Sequence, residues 1–278
     1  MPASSENLSS GSRPKRWSRK QYLIFFTAMV ITAGICPLSD RLDGSLFLVL
    51  DIILVAAIPA FSWTAYRQLR DGKVPSIPHW KRYLQTIVGS WTFGLLVLTV
   101  YANRDTALRT AGFSFQSAEV FGGWCLVLAA GSAVLFGLLN WSMARGWLPA
   151  GPRGLSLLPE TRSERLACVF LLSPTVGFCE ELLYRSYALR ELPHWWKGCP
   201  TILSLFVSCL LFALAHTARG GTAVLYTFIL GALFAWPVLH SGTLYPSIVV
   251  HTIYDAVVLA WIGPKLARRA KGPSAPPA

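Results

Sequence analysis

Residues 166–189 read LACVFLLSPTVGFCEELLYRSYAL, and the fold turns on this stretch. Residues 166–178 carry no charge, yet Glu180, Glu181 and Arg185 then fall within six positions. On a soluble helical bundle such a trio would be a solvated, salt-bridged face that contributes little. Here the flanks are apolar on both sides, so solvation of that face is a poor explanation. Charges removed from water are costly, and ionisable groups inside a membrane mark function by default.

The rest of the chain agrees with a membrane environment. Of 278 residues, 53% are hydrophobic and only 14% charged, where a soluble domain carries about a quarter charged. Mean hydropathy is +0.47, and the apolar residues come in long blocks rather than in alternation or narrow stripes. The net charge of +12 does not form a basic stripe interleaved with aromatics, which argues against nucleic-acid binding. The basic residues instead sit between apolar blocks and at both ends, where they meet anionic lipid and set orientation. Six cysteines show no C-x-x-C pairing and read as small buried hydrophobes.

The apolar blocks predict an all-α polytopic membrane bundle of about eight transmembrane helices. The expected spans are 22–38, 46–66, 83–102, 120–144, 166–190, 200–217, 222–240 and 244–262. Residues 1–20 read as a disordered basic tail, 21–264 as one helical membrane domain and 265–278 as a disordered C-terminal tail. Counts of Lys and Arg along the successive tails and loops are five, one, five, two, four, two, one, none and four. The positive-inside rule then puts both termini in the cytoplasm. The first four spans carry few polar groups, Asp51 and Asn140 being exceptions able to face neighbouring helices. The last four hold nearly all the chemistry, and no internal repeat suggests the inverted halves of a transporter.

Three motifs stand out there: Glu180-Glu181-x-x-x-Arg185, Phe212-x-x-x-His216 and His251-x-x-x-Asp255. At about 100° per residue, Glu181 and Arg185 share a helix face one turn apart, and Glu180 lies well around the helix from them. Arg185 is therefore expected to hold Glu181, leaving Glu180 freer to exchange protons. His251 and Asp255 likewise stand one turn apart. A lone interfacial histidine means little, but Glu, His, His and Asp on three of the last four helices form a constellation.

Such a set suits hydrolysis, since a carboxylate and an imidazole can activate one water while further polar groups donate to a developing oxyanion. No Ser or Cys has a readable base partner for covalent catalysis. Zinc is the rival, because Glu180, His216, His251 and Asp255 supply N/O ligands if they converge.

EELLYR, FALAH and HTIYD resemble the three motifs of the CAAX prenyl protease and bacteriocin-processing family, also called the Abi family. The resemblance covers about residues 165–262. It implies a near-eight-helix membrane bundle and a glutamate-dependent intramembrane endopeptidase that needs no metal. In that reading Glu180 with His216 activates the attacking water, Glu181 with Arg185 supports the site, and His251 with Asp255 stabilises the oxyanion. Phe212 is a supporting residue. The family carries Asn or Asp at the position of Asp255. An Asp donates only when protonated; the alternatives are that it accepts from His251 or ligates a metal.

The implied partners are the lipid bilayer and a peptide or protein substrate, including lipidated ones, and the expected location is a prokaryotic inner membrane. A non-catalytic immunity or partner-binding protein on the same scaffold and a zinc-dependent membrane protease are the competing readings. Straight spans would put Glu180 nearer the outer side and His216 nearer the cytoplasm. A membrane helix starting at Pro174, with TRSERLACVFLL along the interface, would bring the two together.

Overall fold

The computed structural model describes residues 43–72, 77–103, 108–149, 158–190 and 199–265. The two tails and the expected span at 22–38 lie outside the described residues. Within them the chain is all-helical, with α1 Leu46–Arg70, α2 His79–Ala102, α3 Ala118–Ala144, α4 Arg162–Ala188, α5 Thr201–Ala215, α6 Gly221–Ser241 and α7 Tyr245–Lys265. Six of these, all but α5, are long and apolar enough to cross a membrane. Of the eight expected spans seven fall within the described residues, and that number is corrected to six. The reason lies in α5: its 15 residues reach about 22 Å at 1.5 Å each, short of a hydrocarbon core of about 30 Å.

Local signals fix the helix ends. Ser117 accepts a hydrogen bond from the Val120 amide at 3.2 Å and caps α3. Thr161 and Glu164 form a reciprocal capping box at the start of α4, which satisfies two amides that the first turn leaves without partners. α6 stops at Gly242, whose φ of +64° is a left-handed conformation that glycine adopts without strain.

α4 runs unbroken through Pro174, so the segment before this proline and the segment after it are one helix. Proline lacks an amide and crowds the preceding turn. The wider π-type turn at Cys168–Leu172, immediately before it, absorbs that misfit.

α2 and α4 lie side by side in the same direction. His79 Nδ1 is 3.4 Å from Glu164 Oε2 at one end, and the Tyr101 hydroxyl is 3.0 Å from Ser186 Oγ at the other. α1 runs against them, with Asp51 accepting from the Tyr187 hydroxyl at 3.0 Å. α7 packs on α4 and α3, and α6 packs on α5. A first core of Leu50, Leu54, Val97, Leu182 and Phe212 joins α1, α2, α4 and α5. A second, of Leu128, Leu230, Phe234 and Val250, joins α3, α6 and α7. The polar residues of α4, α5 and α7 lie between them.

Candidate active site

α4 carries two of its charges inward. Over Glu181–Ala188 it winds in wider π-type turns, a feature common at functional sites. The i,i+4 relation survives the widening, and Arg185 Nη1 lies 3.2 Å from Glu181 Oε1. Both residues are fully buried, Glu181 at 0% and Arg185 at 1% exposure. The guanidinium also sits 4.2 Å over the Phe212 ring and donates to the Gly231 carbonyl at 3.4 Å. A buried charge is tolerated when it is paired and surrounded in this way.

His251 on α7 is the hub. Its Nδ1 lies 2.7 Å from Glu181 Oε1, the oxygen that also faces Arg185. Nδ1–H donates to that carboxylate, which fixes the ring orientation. Phe234 stacks on the ring at 5.1 Å and 28°. The other nitrogen, Nε2, faces Glu180 Oε2 at 3.7 Å and Asp255 Oδ2 at 3.8 Å. Both separations exceed a hydrogen bond, so this edge of the ring faces two carboxyl groups at ion-pair range. Glu180 and Asp255 are the accessible members, with side chains 24% and 20% exposed. Glu180 Oε2 itself is buried and takes no hydrogen bond.

A small residue makes this encounter possible. A Cβ on Gly177 would lie 2.9 Å from the Thr252 amide nitrogen and 3.1 Å from its Cα, and closer still to Thr252 Oγ1. Glycine alone lets α4 and α7 approach so closely one turn before Glu180 and one residue after His251.

His216 closes α5. Its Nδ1 is 2.8 Å from the Phe212 carbonyl. A carbonyl only accepts, so Nδ1 carries the hydrogen and Nε2 of the neutral ring keeps its lone pair. The Phe212 ring stands between the two imidazoles, 4.8 Å from that of His216 and 6.1 Å from that of His251. Beyond His216 the turn Thr217–Arg219 is pinned from α1, where Ser62 Oγ accepts from the Ala218 amide at 2.9 Å.

All seven motif residues, Glu180, Glu181, Arg185, Phe212, His216, His251 and Asp255, thus gather at one place between α4, α5 and α7. The imidazole in ion-pair range of Glu180 is that of His251, and the ring of His216 meets the Phe212 carbonyl of its own helix. The rival zinc reading gains no support here, since no group of three His, Cys, Asp or Glu among the described residues is placed to hold a metal ion.

Sequence reading missed Phe234, Ser62 and the Gly177–Thr252 contact. Gly177 stood inside the deciding stretch and signalled a close approach. Ser62, one hydroxyl in an apolar helix, carried no signal.

A model of the type II CAAX prenyl endopeptidase Rce1-like family matches residues 162–257. The match spans α4 to the middle of α7 and contains all seven motif residues. No curated protein and no solved structure matches the chain.

Proposed function

Residues 162–257 form a domain of the Rce1-like type II CAAX prenyl endopeptidase family, and from that premise we propose that the chain is an intramembrane endopeptidase working through a Glu180-activated water. The observation that carries this reading is the division of the two adjacent glutamates. Glu181 is spent on Arg185 and His251. Glu180 is part-exposed, its side chain 24% accessible, and meets His251 only at ion-pair range, 3.7 Å from Nε2.

In the proposed reaction Glu180 takes a proton from a water that His216 Nε2 also accepts from, and the hydroxyl oxygen adds to the scissile carbonyl. The oxyanion so formed is met by a proton on His251 Nε2, whose ring Glu181 and Phe234 hold in place. Asp255, when protonated, is a second donor. Collapse breaks the C–N bond, and Glu180 returns its proton to the leaving amine. Water is thereby divided between a new carboxylate and a new amine, with no covalent enzyme intermediate.

The substrates proposed are membrane-associated or lipidated peptides, since the site lies among membrane-length helices. The Lys- and Arg-rich loops at 67–82 and 145–165, which α2 and α3 place on the same side, support a cytoplasmic position for that side. The test is cleavage of a fluorogenic, membrane-tethered peptide library by purified wild type, Glu180→Ala and His216→Ala. Loss of cleavage in both variants is expected, with chelators leaving the wild type unaffected. Equal cleavage by all three would sink the mechanism, and loss of activity to chelators with recovery on adding zinc would replace it with metal chemistry.

A further inference from the structure

The face of α7 turned to α6 carries polar groups that the reaction above does not use. Ser247, His251 and Tyr254 follow at i, i+4 and i+7, so they share one side of the helix. All three meet α6. Ser247 Oγ donates to the Phe234 carbonyl at 2.7 Å. One turn on, the His251 ring stacks on the ring of that same Phe234 at 5.1 Å. One turn further, the Tyr254 hydroxyl lies 2.5 Å from the Tyr226 hydroxyl. His251 therefore sits between two hydrogen bonds that join its helix to α6.

The α6 side of this contact is one stripe. Tyr226, Leu230 and Phe234 stand at i, i+4 and i+8, and all are buried. Tyr254 also meets the Phe136 ring of α3 edge-on at 6.4 Å and 76°. Two phenylalanines would fill the space of the tyrosines with no polar atom to satisfy. A phenolic hydroxyl in an apolar interior is costly without a partner, and here each hydroxyl is the other's partner. What the hydroxyls add over phenyl rings is direction, because a hydrogen bond fixes two atoms along a line and ring packing does not. Thr252, about 160° round the helix from Tyr254, rests on Gly177 of α4. α7 is thus held from both flanks at the level of its catalytic histidine.

We propose that Tyr226 and Tyr254, with Ser247, are positioning residues for His251: they set the rotation and height of α7 so that the imidazole meets Glu181 and the developing oxyanion together. The catalytic consequence rests on the endopeptidase reading; the placement of the ring is separate from it. The three residues act through His251, not on the substrate.

The test uses the full chain in detergent as wild type, Tyr226→Phe, Tyr254→Phe, the double variant and Ser247→Ala. Both tyrosine changes keep the ring and its packing. Read in parallel are kcat and KM on the tethered peptide well below the unfolding midpoint, the midpoint itself, and the His251 Nδ1 proton in protein carrying isotope-labelled histidine. That proton lies in the 2.7 Å contact with Glu181 and should give a low-field signal, identified by its loss in His251→Gln. Each tyrosine variant should lower kcat about ten-fold at constant KM, half on a logarithmic scale of the roughly hundred-fold cost of a misplacement of about 1 Å. The double variant should lose no more than either single, since one hydrogen bond is removed in all three. Ser247→Ala should also lower kcat, and the low-field signal should move or broaden in every variant. A lower midpoint with kcat and the proton signal unchanged would make these contacts packing only and overturn the proposal. A raised KM at constant kcat would put the hydroxyls on the substrate, and losses that multiply in the double variant would separate the two tyrosines; either result overturns it too. If wild type cleaves no peptide, the endopeptidase reading falls, and the proton signal alone decides the placement: a signal altered in the variants supports it, and one identical to wild type refutes it.

Discussion

Gly177→Ala adds a single methyl group at the crossing of α4 and α7, and its consequence can be worked out in ångströms. The new Cβ would meet Thr252 N at 2.9 Å and Thr252 Cα at 3.1 Å, where ordinary carbon contacts begin near 3.5 Å. Backbone atoms cannot rotate aside, so the helices must separate by about 0.5–1 Å. The His251–Glu181 contact of 2.7 Å then opens towards about 3.2–3.7 Å, the limit of a hydrogen bond. Overpacking of this kind costs about 1–3 kcal/mol, and a misplacement of about 1 Å at a catalytic group costs about a hundred-fold in rate. The assay is kcat on a tethered peptide, run beside the unfolding midpoint in the same detergent. Gly177→Ala should lose kcat far more than stability. Thr252→Ala should not rescue it, because the obstructing atoms include backbone. Wild-type kcat in Gly177→Ala, or full rescue by Thr252→Ala, would refute the claim that this approach sets the site.

Other perturbations separate structural from chemical roles. Arg185→Ala should destabilise by about 3–5 kcal/mol by leaving Glu181 charged and unpaired in the interior, measured as a fall in the unfolding midpoint. Arg185→Lys should not restore it, since an ammonium cannot reproduce the flat stacking on Phe212 together with the Gly231 contact. Ser62→Ala leaves the Ala218 amide without its acceptor, which costs about 1–3 kcal/mol. If the turn positions His216, kcat on the tethered peptide should fall while KM stays put; a change confined to stability would make Ser62 a packing residue only.

What was legible in the sequence was mostly what one helix determines by itself. Glu181 and Arg185 pair because they stand one turn apart, and wider turns between them did not disturb that. His251 and Asp255 are neighbours for the same reason. Asp51 meets Tyr187 of a neighbouring helix as expected, whereas Asn140 donates to Phe136 one turn back on its own helix. Contacts between helices were harder to read. The approach of His251 to Glu180 depends on how α4 and α7 pack, which a helical wheel does not contain. Apolar residues over 200–217 looked like a span, yet the helix within them is too short to cross. No pattern in α1 foretold that Ser62 would tie down a turn more than 150 positions later.

The central claim is that two adjacent glutamates have divided chemistry from structure. Its most direct test is kcat and the unfolding midpoint, measured in parallel for Glu180→Gln and Glu181→Gln. Glu180→Gln should lose at least about a hundred-fold in kcat with its midpoint unchanged. Glu181→Gln should lower the midpoint by weakening the buried pair with Arg185. An active Glu180→Gln, or a Glu181→Gln as stable as the wild type, would contradict the account.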